Sequence, residues 1–329
     1  MPKVVRFYEA GAAEQLKIEE APLQEPQAGE VRLKVEAIGL NRAEIMFREN
    51  QYLESPVFPA KIGYEASGVI DAIGEGVKNV AVGDRISTIP CFSMGTHGVY
   101  GESAVVPAHA VAKYPTKLTP QEGTSIWMQY LTAYGALIEY SDISAQDIVL
   151  ITAASSSVGV AAIQTAKSVG AKVIAVTRTN EKKAFLLETG ADLVIATDAQ
   201  DLVEQVELFT DGAGASVIFD PIGGPIVNQL GEAAAIGATI YEYGALSSEP
   251  TPFPLFAALG KALNVRGYTL FEITQDQQKR DRGVAFIYEG LESGKLTPVI
   301  DKVFEFDNIV DAHKYMESGV QKGKIVINA

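Results

Sequence analysis

The amino-acid sequence points to an α/β plus β architecture, a doubly wound parallel sheet domain joined to a smaller barrel-like β domain. Three observations lead there. From Asp147 onward, short apolar runs alternate with stretches of helical period, the pattern of a parallel sheet with crossover helices. The first of these, DIVLITAASSSVGVAAIQTAKSVG at 147–170, reads as a buried strand, a turn of small residues and a helix closed by Gly170. Before Pro120 the chain instead shows period-two alternation broken by frequent Gly and Pro.

Taken in order, Lys3–Glu9 alternates as a strand. Glu30–Ala37 does so more clearly, with Val31, Leu33, Val35 and Ala37 on one face and Arg32, Lys34 and Glu36 on the other. Gly39–Glu44 opens a short helix, and residues 51–61 form a loop around Pro56 and Pro59. Further strands are expected at Val69–Ile73, Asp84–Ile89 and Ser103–Pro107, together a β region of roughly 120 residues of small-barrel type. Gln121–Tyr140 is apolar, free of proline and helical. Strands then follow at Asp147–Thr152, Lys172–Thr177, Asp192–Ile195, Ala215–Asp220, Gly237–Tyr243 and Asn264–Leu270. The tail alternates helix Asp276–Ser293, strand Val303–Phe306, helix Asn308–Ser318 and strand Lys324–Ile327, and is expected to return to the first domain.

The 147–170 stretch has the makings of an anion site, because the first N–H groups and the dipole of a helix point at whatever lies over the turn. A full dinucleotide fingerprint is G-x-G-x-x-G; with Gly159 as its last glycine, Ala154 and Ser156 stand where the first two would be. A strand–turn–helix without a ligand has the same outline. The next strand adds to the argument. About twenty residues on, where an NAD site places an acid, this chain has Thr177-Arg178-Thr179 followed by Lys182 and Lys183. An acid repels a ribose 2′-phosphate; a guanidinium and ammonium groups attract it, so the expected cofactor is NADPH. The alternative for these cations is a solvated helix start.

Composition narrows the classes. The chain has 329 residues, 47% hydrophobic and 21% charged, with a formal net charge of −14. That balance argues against nucleic acid and anionic membranes as partners. A single cysteine, Cys91, allows no intramolecular disulfide and no multi-cysteine metal site. The N-terminus MPKVVRFYEAG carries no long apolar segment, and a cytoplasmic location is the expectation.

Several segments occur in the order found in one superfamily: GLNRAE at 39–44, GYEASGVI at 63–70, VGDRI at 82–86, LTAYGAL at 131–137, the 147–170 stretch, LLETGAD at 186–192 and GKIVIN at 323–328. Over essentially its whole length the chain resembles the medium-chain dehydrogenases/reductases, and within them the zinc-independent quinone oxidoreductases. The resemblance implies a GroES-like, partly open β-barrel catalytic domain (1–122 and 271–329), a Rossmann domain (123–270), an active site in the cleft, and commonly a homodimer paired through Rossmann edge strands, here Asn264–Leu270.

Zinc enzymes of that superfamily hold the metal with cysteine and histidine. At the matching positions this chain has Asn41, Tyr64 and Met128, which are poor zinc ligands, and no metal site is expected. His97, His109 and His313 are scattered and read as surface or packing residues, and Cys91 as a small buried hydrophobe. Without a Lewis acid, the accessible chemistry is hydride transfer from NADPH to an acceptor that is already electrophilic, a quinone or an α,β-unsaturated carbonyl.

The resemblance assigns roles by position. Asn41 would lie near the nicotinamide ribose or the substrate carbonyl. Tyr64 would donate to a developing enolate or quinol oxygen, its alternative being a packing tyrosine. Tyr52 would line the pocket mouth, or be a loop aromatic. Thr132 would bond the nicotinamide carboxamide. Ser156, Ser157, Val158 and Gly159 would cradle the pyrophosphate; Thr177, Arg178 and Lys182 would take the adenosine side, with Arg178 and Lys182 on the 2′-phosphate. Gly244 and Ala245 would lie against the nicotinamide, and Phe271 and Lys324 would form the floor. Two departures bear on this reading: the nucleotide turn is rich in serine, and Met46 stands where some quinone reductases have tyrosine. Two other functions fit the same residues, an alcohol dehydrogenase-like activity and a non-catalytic NADPH-binding role.

Overall fold

Seven strands precede residue 120 in the computed structural model, which describes residues 1–329: β1 (Lys3–Arg6), β2 (Lys17–Glu20), β3 (Glu30–Gly39), β4 (Glu65–Ile73), β5 (Arg85–Thr88), β6 (Ser103–Pro107) and β7 (Val111–Lys113). Six follow in the middle of the chain: β8 (Ile148–Ile151), β9 (Lys172–Thr177), β10 (Leu193–Ala196), β11 (Ala215–Asp220), β12 (Ala234–Glu242) and β13 (Asn264–Gly267). The last two are β14 (Ile300–Glu305) and β15 (Lys324–Asn328). Residues 1–128 and 298–329 make one compact unit, residues 129–297 the other.

In the first unit, β3 is the spine. Its alternating apolar face is buried, and it pairs antiparallel with β4, β6 and β15. The mixed sheet runs β14-β15-β3-β4-β5-β7, so the tail does return to it through β14 and β15, while β1 and β2 form a separate antiparallel pair. Helix α1 (Arg42–Arg48) follows β3 directly and is opened by a capping box between Asn41 and Glu44. The sequence misses β2 and β7 because neither KIEE nor VAK carries an apolar alternation of its own.

The second unit is the parallel sheet that was expected. Its order is β10-β9-β8-β11-β12-β13, with every neighbouring pair parallel. The direction of winding reverses between β8 and β11, the place where open α/β sheets take ligands outside their carboxyl ends. Leu150, Ile174, Ile195, Ile218 and Ile240 fill the layer beneath the helices. Helix α2 (Ser157–Ser168) follows β8.

The unit boundaries differ from those expected at 122/123 and 270/271. Trp127 Nε1 donates to Ser87 Oγ at 2.8 Å and the Met128 N–H to Glu65 Oε1 at 2.8 Å, which holds residues 123–128 to the first unit. At the other end, helix α3 (Gln277–Ser293) stays with the second unit. Gly283 lets it approach so closely that a Cβ there would sit 2.6 Å from Leu131 Cδ2. The Phe286 ring lies 5.4 Å from that of Tyr134, and Arg282 pairs with Glu139. The one or two helices expected over 121–140 are three pieces, Pro120–Gly123, Trp127–Tyr134 and a π-helical turn Gly135–Tyr140. No helix is long and apolar enough to cross a membrane.

Candidate active site

In the first unit, α1 follows β3 after a two-residue link, and buried polar and charged groups from α1, β4 and β15 gather at that junction. Asn41 caps the helix and Glu44 is its third residue, so the Glu44 carboxylate turns back and accepts from the Asn41 backbone N–H. It also accepts from Asn41 Nδ2 at 3.2 Å and from the Tyr64 backbone N–H at 3.1 Å. Lys324 on β15 reaches the same place: its Nζ lies 2.6 Å from Asn41 Oδ1 and 2.5 Å from Glu65 Oε2. Asn41, Glu44, Glu65 and Lys324 are all buried. Burial pushes the Glu44 carboxyl up to about 7, against the pull of the Lys324 charge.

This arrangement changes the reading of two expected site residues. Both Asn41 amide hydrogens are committed, to Gly39 O and to Glu44, and its oxygen accepts from Lys324. Its side chain therefore holds the network together and has no donor left for a ligand. The Lys324 ammonium is likewise engaged, as an internal counter-ion and not as a pocket floor. Sequence reasoning passed over both acids, although N-R-A-E at 41–44 carries the capping-box spacing.

Aromatic residues pack beside this network. Tyr64 is buried, and its ring lies 6.4 Å from Tyr52 and 5.8 Å from Phe92. Thr88 Oγ1 donates to the Tyr64 carbonyl at 2.7 Å and fixes the backbone beneath it. Burial, and then the neighbouring Tyr52, raise the Tyr64 phenol far above its ordinary value. Tyr52, half-buried, is pushed up to about 12 by burial, while its neighbour Tyr64 works the other way. Both phenols are therefore held protonated, side by side. Met46 and Met128 are both half-buried.

Neither the histidines nor the cysteine assemble a metal site, and no group of three or more His, Cys, Asp or Glu side chains converges anywhere in the chain. His313 is buried against Arg48 and held neutral, its pKa lowered to about 3 by burial and by that guanidinium. His97 is half-buried against the Val105 carbonyl, and His109 is exposed. Cys91 is half-buried, not fully buried as its composition suggests, because it sits in the loop after β5.

In the second unit, Ser156 caps α2, its Oγ accepting from the Gly159 N–H at 3.0 Å. The first-turn N–H groups of Ser157 and Val158 have no partner within the helix, which is what a helix N-terminus offers an anion. The turn is tight. Ala153 takes the left-handed conformation at φ 44°, and a Cβ on Gly159 would lie 2.5 Å from Ala154 O. Glycine is thus demanded at position 159, whereas the positive φ falls on an alanine. Thr177 is buried at the end of β9, and Arg178 beyond it is exposed. Lys182 Nζ reaches back to Ser155 Oγ at 2.9 Å, so its charge serves the nucleotide turn itself. Thr132 is buried in the helix Trp127–Tyr134. Gly244 and Ala245 are exposed just past β12, where a Cβ on Gly244 would lie 2.7 Å from Pro221 O. Phe271 is half-buried at the start of a short helix, Phe271–Thr274. A close-packed turn, a capped helix N-terminus and two cations are what a phosphorylated dinucleotide requires.

Comparison with known proteins bears on the whole chain. Residues 27–116 match the alcohol dehydrogenase GroES-like domain and residues 157–283 the zinc-binding dehydrogenase domain. A quinone oxidoreductase-like protein 2 homolog of Nematostella vectensis is 31% identical over 302 residues, spanning 91% of this chain and 81% of the relative. The chain belongs to the medium-chain dehydrogenase/reductase family, in its quinone oxidoreductase branch. Human quinone oxidoreductase is 29% identical over 328 residues, 99% of this chain and 97% of the relative. A mycobacterial protein solved in complex with NADPH superposes with a TM-score of 0.92 at 26% identity over 100% of both chains. An NAD-dependent alcohol dehydrogenase superposes at 0.91 with 29% identity over 99% of both chains. For a family whose second domain model is described as zinc-binding, the donor set here is a misfit: Asn41, Tyr64 and Met128 offer neither thiolate nor imidazole.

Proposed function

We propose that this medium-chain reductase transfers a hydride from NADPH to a quinone or an α,β-unsaturated carbonyl without zinc. The observation that carries the reading is the replacement of metal-binding side chains by a tyrosine pair. Tyr64, in the position of a zinc ligand in related enzymes, lies edge-on to Tyr52 with ring centroids 6.4 Å apart, and the Tyr52 phenol, kept protonated by burial, would supply a proton to an acceptor oxygen. Ser156, Ser157, Val158 and Gly159 would hold the pyrophosphate, with Lys182 adding charge at Ser155 and Arg178 meeting the 2′-phosphate. Thr132, Thr177, Gly244, Ala245 and Phe271 complete that set by position. NADPH supplies the hydride when bound. The chain's part is to orient it, to exclude water and to deliver a proton from Tyr52 as charge develops on the acceptor oxygen.

The similarity to NAD-dependent alcohol dehydrogenase supports a second reading, alcohol oxidation with NAD. Arg178 at the ribose position and the missing metal donors weigh against it. We also propose a cytoplasmic homodimer. Strand β13 is an edge strand, and Phe253, Leu255, Phe256 and Leu259, which shortly precede it in the chain, are exposed apolar residues of the kind a second copy would cover.

The test is cofactor oxidation with a panel of quinones and enones on chelator-treated protein. Chelator-resistant turnover that prefers NADPH to NADH is expected. Turnover only with alcohols and NAD, or turnover that chelator abolishes, would overturn the reading.

A further inference from the structure

At the carboxyl ends of β8, β11 and β12, beside the place where the sheet's winding reverses, Thr152, Asp220 and Glu242 form one row across the sheet. Asp220 and Glu242 are register partners on neighbouring parallel strands, and Thr152 lies on the other side of Asp220. Asp220 is fully satisfied: it accepts from the Thr152 hydroxyl, from the Ile222 N–H at 3.2 Å and from the Gly223 N–H at 2.8 Å. Glu242 is the opposite case. Both of its carboxyl oxygens are buried, and no donor reaches either. The charged and titratable neighbours are few. Asp220 faces it from β11, and Tyr243 follows it just past β12, half-buried, its hydroxyl buried and without a partner. Arg266 on β13 is in register with Tyr241, pairs with Glu272 and stacks on Tyr140, and so lies on the other face of the sheet. Two adjacent buried carboxylates with no cation cannot both stay ionised, and one proton between them supplies the missing donor.

The two turns that leave these strands are bound to each other. The Tyr243 N–H donates to Asp220 O at 2.9 Å, the Leu246 N–H to Pro221 O at 3.0 Å and the Ser247 N–H to Ile222 O at 2.9 Å. Their approach is close enough that a Cβ on Gly224 would sit 2.3 Å from Ser247 Oγ. The second turn carries Gly244 and Ala245, the nicotinamide-side residues of the proposed site.

We propose that Glu242 is a positioning residue for the cofactor: its proton, shared with Asp220, ties the end of β12 to that of β11 and sets the turn that carries Gly244 and Ala245. The proposal rests on the NADPH reading above. Burial and the Asp220 charge push the Glu242 carboxyl up to about 8, so the tie opens within a range in which the protein is easily studied.

The experiment measures NADPH affinity by nucleotide fluorescence between pH 7 and pH 9, where the 2′-phosphate is already ionised. If only the protonated form is competent, the wild-type Kd rises about tenfold over that range. E242Q, whose amide still donates to Asp220 but cannot ionise, is expected to show a flat profile. E242A, which has no tie at any pH, is expected to bind weakly throughout. Thermal unfolding without cofactor gives a second readout: the wild type should lose stability relative to E242Q as pH rises from about 5 to about 8 and then run parallel to it. Normal binding with superimposable wild-type and E242Q profiles would overturn the positioning role alone. Absence of NADPH binding at every pH would overturn the cofactor reading and this role with it, while the unfolding data would still show whether the proton is shared.

Discussion

Replacing Lys324 with methionine tests the buried network beneath the first unit's site. The substitution keeps most of the aliphatic stem, which runs past Gly39 so closely that a Cβ there would lie 2.8 Å from Lys324 Cε. It removes the ammonium, which touches Glu65 Oε2 at 2.5 Å and Asn41 Oδ1 at 2.6 Å with both ionic partners buried. Glu65 would then be a buried carboxylate supported by the Met128 N–H alone. Breaking a buried ion pair from one side costs about 3–5 kcal/mol, most of it the stranded charge. The second half of the prediction follows from that origin. K324M combined with E65Q leaves no buried charge at the pair and keeps an acceptor for Met128, so the double variant should recover about 2 kcal/mol or more relative to K324M. Urea unfolding followed by fluorescence reads this directly, because the single tryptophan, Trp127, is buried in the same unit and donates to Ser87. A loss under about 1 kcal/mol for K324M, or strict additivity in the double variant, would refute the assignment of Lys324 as counter-ion.

Three further outcomes are expected. Glu44 has its pKa raised in the folded state from 4.5 to about 7, so the native state holds a proton that the unfolded chain releases. Its contribution is a penalty that grows as pH rises from about 4.5 to about 7 and is constant above. E44Q should therefore gain on the wild type across that window, by roughly 3 kcal/mol at most, in denaturant titrations at stepped pH; parallel curves would refute it. Arg178→Asp should weaken NADPH binding about tenfold to a hundredfold while leaving NADH nearly unchanged, and equal losses for both would remove the 2′-phosphate assignment. Tyr52→Phe should lower turnover about a hundredfold and Tyr64→Phe about tenfold, each with a smaller change in cofactor affinity; a larger effect at Tyr64 would reverse the order of the pair.

The parallel sheet was readable chiefly because β8, β9, β10 and β11 are short, mostly apolar runs, and Gly159 marks the turn that feeds α2; the edge strand β13, NVRG, has no such run. The first sheet was readable only where alternation was strong. β3 shows it, whereas β7 is short and takes its place beside β5, and β2, outside that sheet, is short and set by its pairing with β1. The boundary error at 270 has a similar cause. Helix α3 carries polar residues on most of its length, and its allegiance is decided by Gly283 against Leu131 and Tyr134, a contact that local pattern does not encode. Of the candidate site, the strand–turn–helix at 147–170 was readable from the residues themselves, while Tyr52 and Tyr64 were expected only from the family resemblance. Neither route revealed Glu44 and Glu65 as buried acids or Glu242 as an acid with buried oxygens, because an isolated glutamate in a strand or first helical turn reads as surface charge until its neighbours are known.

Glu44 could be mistaken for the proton source of the reduction, since a carboxyl that titrates near neutrality is suited to acid catalysis. Its contacts argue otherwise. Its oxygens face the Asn41 and Tyr64 backbone N–H groups and the Asn41 amide, all donors, so a proton on Glu44 has no acceptor leading outward among those partners. What the acid does is mechanical: it fixes the start of α1 and the backbone of Tyr64, on which the direction of the Tyr64 hydroxyl depends. Charge balance explains why the protonated form is tolerated there. Lys324 neutralises Glu65, and a second carboxylate would leave the cluster with a net negative charge, whereas a neutral Glu44 leaves none. Glu242 meets the same problem in the other unit by a different route, with a neighbouring acid in place of a cation. In the proposed reaction the proton for the acceptor oxygen would come from Tyr52, whose phenol burial keeps protonated.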